Sequence, residues 1–290
     1  MCHRFMSHIA FAKYEGLGND FIIIDGAKAW LTPEGARRVC DRRRGIGADG
    51  VLTLLPSRHP EAEVRMHVLN ADGSVAEMCG NGLRCVVQHH LNQQRAERTV
   101  VDTDAGLLAG ARVQDAVRID MGAATLVEPS VPVSVDGTTV EATVVSMGNP
   151  HLVLRPFEKD ADLMSLAQTY GPALERDPRF PDRINVGFAS VGADRVKLVV
   201  FERGSGITQA CGTGASAAVA ALFRGGFIDA PRAQVELPGG RLTIELSEAS
   251  ASGGRLGAVV MTGPARHVFD GTIEVSPTEV REASAALQRV

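Results

Sequence analysis

The chain has 290 residues, of which 44% are hydrophobic and 22% charged, with a net charge of −4, the composition of an ordinary soluble globular protein. With no basic run and only 4% aromatic residues, it argues against a nucleic-acid surface built on phosphate contacts and base stacking. No stretch reaches the roughly 20 apolar residues of a membrane span, residues 1–8 lack a signal-peptide apolar core, and Cys2, Cys40, Cys79, Cys85 and Cys211 form no disulfide framework, so a cytoplasmic location is expected.

By length the chain is expected to form about two domains. Short β-type runs recur at 21–24, 51–55, 64–69, 117–119, 131–135, 144–145 and 196–201, separated by turn signals such as Asp-Gly and Pro-Gly-Gly. Helices are expected over 33–43, where Thr32 is a good N-cap and Pro33 fits the first helical position, over 162–170, and directly after Cys79 and Cys211. Gly225-Gly226 ends the last of these. Strands, a cysteine-led helix, strands and a second cysteine-led helix imply two similar α+β domains, each wrapping a sheet around its central helix. The stretch 122–132 is the expected linker, and a cleft between the halves would bring the two helix starts face to face, since ligand sites favour domain interfaces.

Those helix starts carry the most informative pattern. Cys79-Gly80-Asn81-Gly82 recurs 132 residues later as Cys211-Gly212-Thr213-Gly214. A thiol at a helix N-terminus meets unpaired backbone N–H groups and the positive end of the helix dipole, which stabilise the thiolate that acts as base or nucleophile. Glycines without a Cβ let a ligand approach the same N–H groups, so they can also hold a carboxylate. A lone Cys-Gly pair is more often a small buried hydrophobe, but two equivalent thiols suggest a symmetric reaction. Gly212 to Ala217 fits a loose dinucleotide fingerprint, yet a glycine-rich turn at 203–206 rather than a strand leads into it, and Asp229 downstream sits in a turn. Zinc is a weak reading because five residues separate Cys79 from Cys85.

Around the cysteines, several turns carry polar residues: Gly16-Leu17-Gly18-Asn19-Asp20, Asn70-Ala71-Asp72-Gly73, Gly148-Asn149-Pro150-His151 and Glu202-Arg203. Each alone is more often a turn, a structural histidine or a solvated charge pair. Beside two thiols, an acid, a histidine and an arginine form the set that a carbon-acid reaction needs: Arg203 can clamp a carboxylate bidentately, while His151 and Glu202 can adjust thiol protonation.

The segments FAKYEGLGNDFIIIDG (11–26), NADGSVAEMCGNGLRC (70–85), MGNPHLV (147–153) and ERGSGITQACGTGAS (202–216) resemble those of the diaminopimelate epimerases, in order from about Phe11 to Gly263. The resemblance implies an α+β fold of two pseudo-symmetric domains, each a strongly curved, mostly antiparallel sheet wrapped around a central helix. These span 1–124, with 264–290 packing back onto it, and 125–263. It implies a homodimer and interconversion of LL- and meso-2,6-diaminopimelate with no cofactor and no metal. Carried over by position, Cys79 and Cys211 are the acid/base thiols, with His151 and Glu202 beside them. Gly80, Asn81, Gly82, Gly212 and Thr213 present helix-start groups to the reacting carboxylate, and Asn19, Asn70, Asn149, Asn185, Glu202 and Arg203 line the substrate. Three departures stand out: Gly50 where some members carry a substrate-contacting glutamine, Ile207 where a glutamate is common, and residues 1–10, read as a dispensable extension. A related racemase acting on proline, hydroxyproline or histidine is the alternative, and a thiol-redox protein is a further one, made improbable by the lack of a Cys-x-x-Cys motif.

Overall fold

The computed structural model describes residues 6–26, 29–76, 78–247 and 255–282; Cys2 and residues 1–5 of the expected extension lie outside them. The chain divides into two compact units, one ending at Val117 and resuming at Pro264, the other Arg118–Gly263.

In the first unit, β1 (Ser7–Gly16) and β2 (Asn19–Asp25) form an antiparallel hairpin. Its two-residue turn has Leu17 and Gly18 at φ 56° and 81°, the left-handed geometry that matches strand twist in a tight hairpin. β3 (Ala29–Leu31) leads to α1 (Pro33–Cys40), where the Thr32 hydroxyl accepts from the Gly35 amide. β4 (Gly50–Leu55) lies parallel to β2, and β5 (Val64–Asn70) antiparallel to β4. β6 (Val75–Ala76) pairs with the end of β5 and precedes α2 (Gly80–Gln94). β7 (Arg98–Thr103) then runs parallel to β5, and β8 (Gly106–Val113) returns antiparallel to β7. α2 packs against β1, β2, β4, β7 and β8.

The second unit repeats these pairings. β9 (Ala116–Val135) and β10 (Thr138–Ser146) pair antiparallel, β11 (Pro150–Leu154) continues from β10, and α3 (Leu163–Glu175) connects to β12 (Asn185–Val191), parallel to β11. β13 (Val196–Glu202) is antiparallel to β12, β14 (Gly206–Ile207) pairs with the end of β13, and α4 (Gly212–Arg224) follows. β15 (Arg232–Leu237) is parallel to β13, and β16 (Gly240–Leu246) and β17 (Arg255–Gly263) complete the set. Strands β10 to β13 and β15 to β17 surround α4. That helix is buried from Gly212 to Leu222, which its run of alanine, valine and leucine permits: a helix enclosed on all sides must be apolar all round.

β18 (Arg266–Val275) then returns to the first unit along β1, and β19 (Val280–Glu282) pairs with β3. Arg84 of α2, buried completely, donates from Nε to the carbonyl of Pro264 at 3.1 Å.

Three expectations need correction. Residues 122–132 are not a linker but the middle of β9; Pro129 and Ser130 sit at a bulge opposite Thr143, where the ladder requires no amide from them. Residues 7–10 do not stand apart from the fold as an extension: Ser7 to Ala10 pair with Val275 to Thr272. α3 does not stop at Tyr170: it continues through Pro172 to Glu175. The residue before proline is Gly171, which has no Cβ to clash with the ring, and a Cβ there would lie 2.5 Å from the Phe201 side chain.

Candidate active site

Both cysteines are helix N-caps in fact as well as position. Cys79 (φ −137°) accepts from the Gly82 amide onto Sγ at 3.4 Å, and Cys211 (φ −123°) accepts from Gly214 at the same distance. A sulfur lying over the N–H of the third helical residue is the arrangement in which a helix start holds negative charge. The glycine fits closely there: a Cβ on Gly214 would sit 3.1 Å from the Cys211 sulfur and 2.9 Å from Val200, and one on Gly82 would sit 3.1 Å from the Leu52 side chain. Sequence reasoning assigned these glycines to ligand approach. Their neighbours show that they also seat the sulfur, a role that the Cys-x-x-Gly spacing carries once the N-cap geometry is known.

The second unit gathers Cys211, Glu202, Thr213, Asn149, His151, Asn185 and Arg203. Cys211 lies 3.2 Å from Glu202 Oε2, and Thr208, which sequence reasoning passed over, donates its hydroxyl to the other carboxylate oxygen. Burial, and next the Glu202 charge, push the Cys211 thiol well above its usual range, against the opposing bonds from Thr213 and Gly214. Burial likewise raises Glu202, while its bonds to Thr208 and Cys211 oppose the shift. The pair therefore keeps a proton at neutral pH, with the S–H donating to the carboxylate.

His151 is 1% exposed. Burial and the nearby Arg203 charge hold its ring down at about 3, so it is neutral. Its Nε2 lies 3.0 Å from Asn149 Oδ1, and Asn149 Nδ2 points to Thr213 Oγ1 at 3.5 Å. Asn185 spans two elements, donating to the Pro150 carbonyl at 2.9 Å and accepting from the Arg203 amide at 3.0 Å. Arg203 itself is exposed and touches the Asp182 carbonyl at 3.2 Å. Glu175, at the end of α3 and 2% exposed, holds the amide of Gly204 at 3.0 Å and so fixes the turn that carries Glu202 and Arg203.

In the first unit, Asn19 Oδ1 accepts from Asn81 Nδ2 at 2.7 Å, at the start of the Cys79 helix. Asn70 closes β5 and donates to Ser74 at 2.9 Å. Gly80 is buried in the first turn of α2, as Gly212 is in α4. The matching ladders align the two units residue by residue: Phe21 stands opposite Gly50 and His151 opposite Asn185. Asn19 thus corresponds to Asn149, and Asn70 corresponds to Glu202. One thiol has a carboxylate in its unit where the other has an amide, and this difference breaks the symmetry of the repeat.

The two departures within the motifs have local reasons. A Cβ at Gly50 would approach the Leu69 carbonyl to 2.8 Å, so the backbone here leaves no place for a side chain. Ile207 faces the hydrophobic cluster of α3 and β12 and packs there as an apolar residue.

The family profile described as diaminopimelate epimerase matches residues 11–127 and 143–268. Curated relatives of that name from Ectopseudomonas mendocina and Synechocystis sp. are each 42% identical, covering 92% of this chain and 99% of theirs. The fold is shared with a hydroxyproline epimerase from Agrobacterium vitis, solved with bound trans-4-hydroxy-L-proline, at TM-score 0.73 and 16% identity over 95% of this chain and 93% of that one. With a profile running through nearly all of both units, and relatives of over 40% identity along 92% of its length, this chain belongs to the diaminopimelate epimerase family.

Proposed function

We propose that the chain is an isomerase converting LL-2,6-diaminopimelate to meso-2,6-diaminopimelate without a cofactor, with Cys79 and Cys211 as its two acid/base groups. The observation that carries the reading is the repeated seat in which each sulfur caps a helix over a glycine amide. Inverting a carbon centre by proton transfer needs a base on one face and an acid on the other, and two thiols at equivalent positions supply that pair. Cys211, protonated beside Glu202, is the acid of the resting protein. Cys79 takes the α-proton as thiolate, and Cys211 delivers its own proton to the opposite face of the α-carbon. The roles exchange in the reverse direction.

The carbanion formed in between has its charge spread onto the α-carboxylate. The first-turn N–H groups of α2 and α4, at Gly80, Asn81, Gly212 and Thr213, are the donors for that developing charge, which is the largest single contribution to such reactions. Asn19, Asn70, Asn149 and Asn185 hold the substrate's polar ends, and Arg203 clamps the distal carboxylate through its planar fork. A second carboxylate to clamp is what favours diaminopimelate over a short amino acid. The reading carries with it a cytoplasmic, homodimeric enzyme that uses neither membrane nor nucleic acid.

The test is incubation with LL-diaminopimelate in deuterated water, following the α-position by NMR. Deuterium should enter as LL- and meso-isomers equilibrate, and Cys79→Ala or Cys211→Ala should each lose all measurable epimerisation. Near-normal turnover by either variant would sink the two-thiol assignment.

A further inference from the structure

Resting on the reading above, we propose that Asp49 is a positioning residue of the epimerase: it fixes which end of the Asn19 amide faces the Cys79 helix. Asp49 is the point where three site segments meet. Its carboxylate oxygen Oδ2 accepts from Asn19 Nδ2 at 3.0 Å and from the Asp20 amide at 3.1 Å. Its backbone binds on both sides, donating to the Asp20 carbonyl at 2.8 Å and accepting from the Ala71 amide, next to Asn70, at 3.0 Å. The carboxylate is itself held by Arg42, whose Nη2 reaches Asp49 Oδ1 at 2.8 Å and Asp20 Oδ1 at 2.6 Å.

The chemistry of the acceptor decides the outcome. An ionised carboxylate can only accept hydrogen bonds, whereas an amide has a donating and an accepting end. Asn19 must therefore turn its nitrogen to Asp49, which leaves Oδ1 facing Asn81, the second residue of the helix that Cys79 caps. The aligned position in the other unit is Ile184, whose side chain has no donor or acceptor for an amide. There Asn149 is oriented by His151 instead, with its oxygen toward the ring and its nitrogen toward Thr213. The two helix starts thus meet asparagine amides of opposite polarity, and in the first unit Asp49 sets the sense.

Asp49→Asn is nearly isosteric but can donate to Asn19 as well as accept, so the polarity is no longer imposed. It should raise KM for diaminopimelate at least tenfold while kcat falls less than threefold, because Asn19 is assigned to substrate binding. Combined with Asn19→Ala, it should cost nothing beyond Asn19→Ala alone, a non-additivity that general destabilisation does not produce. A KM within twofold of wild type, or losses that multiply in the double variant, would overturn the proposal. If Asp49→Asn gives no cooperative melt, Asp49→Ser, whose hydroxyl can likewise donate as well as accept, is read in the same cycle with the same two outcomes. An active wild type with an indifferent cycle removes only the role of Asp49; an inactive wild type removes the functional reading and this inference together.

Discussion

At the scale of single residues, the chemistry of the second unit is governed by two buried titratable groups that have moved in opposite directions. Glu202 adds negative charge beside Cys211 and raises its pKa. Glu202→Gln removes that charge, so the Cys211 thiolate should form at lower pH than in wild type, as read by thiolate absorbance in a background where Cys79 is alanine. An unchanged or higher midpoint would mean that burial alone sets the thiol. His151 has the reverse sign. Its folded pKa of about 3 lies below its unfolded value near 6.5, so the unfolded chain binds the extra proton first. Stability from this site is complete above about pH 6.5 and is lost as the pH falls from there toward 3. Wild type should therefore lose more of its Tm between pH 7 and pH 5 than His151→Gln does, with His67, His89 and His90 adding slopes of the same sign in both proteins. Equal slopes would show that His151 is not held neutral.

At the scale of elements, the close approach of glycine to its neighbours links packing to chemistry. Gly214→Ala places a methyl group against Val200, a branched side chain packed in β13, and against the Cys211 sulfur. The helix start cannot keep both contacts, so the sulfur moves off the Gly214 amide. Overpacking of this kind costs about 1–3 kcal/mol, and turnover should fall at least tenfold even at temperatures where the variant remains folded. Retained kcat would show that the sulfur seat tolerates displacement. Gly171→Ala makes the complementary case in α3, against the Phe201 ring. It should lose a similar amount of stability in urea melts while kcat, measured on the folded fraction, stays near wild type.

At the scale of the whole molecule, the chain leaves its first unit at Val117 and comes back to it at Pro264. β18 completes the pairing of β1 along most of its length, and Pro264 supplies the acceptor for a fully buried arginine. A chain ending at Gly263 therefore leaves one edge of β1 unpaired and takes one hydrogen-bond acceptor, the Pro264 carbonyl, from a fully buried guanidinium, and a lost bond to a buried charged group is costly. Amide exchange should show β1 and β2 unprotected in the shortened chain while β12 and β13 keep their protection. Uniform protection would mean that the returning segment is dispensable.

Much of this was legible in the residues themselves. Thr32 and Pro33 announced α1, the Cys-x-x-Gly repeat announced two thiols at helix starts, and Glu202 stood out as a polar neighbour of the second, because capping, period and residue chemistry act over a few neighbours and are written in nearby positions. What depended on distant strands was not legible. Pro129 lies in the stretch read as a linker, yet it sits within a strand at a bulge opposite β10, and α3 runs on past Tyr170 through Pro172, preceded by a glycine packed against Phe201. The place of Asp49 between Asn19 and Ala71, and the pairing of residues 7–10 with a strand more than 260 residues later, arise only when separate segments are brought side by side. Local propensity determined which elements form and which residue types stand at their starts; the tertiary structure alone decided which way each amide points and that the Cys211 sulfur keeps its proton, because those depend on partners and burial that no short stretch of chain contains.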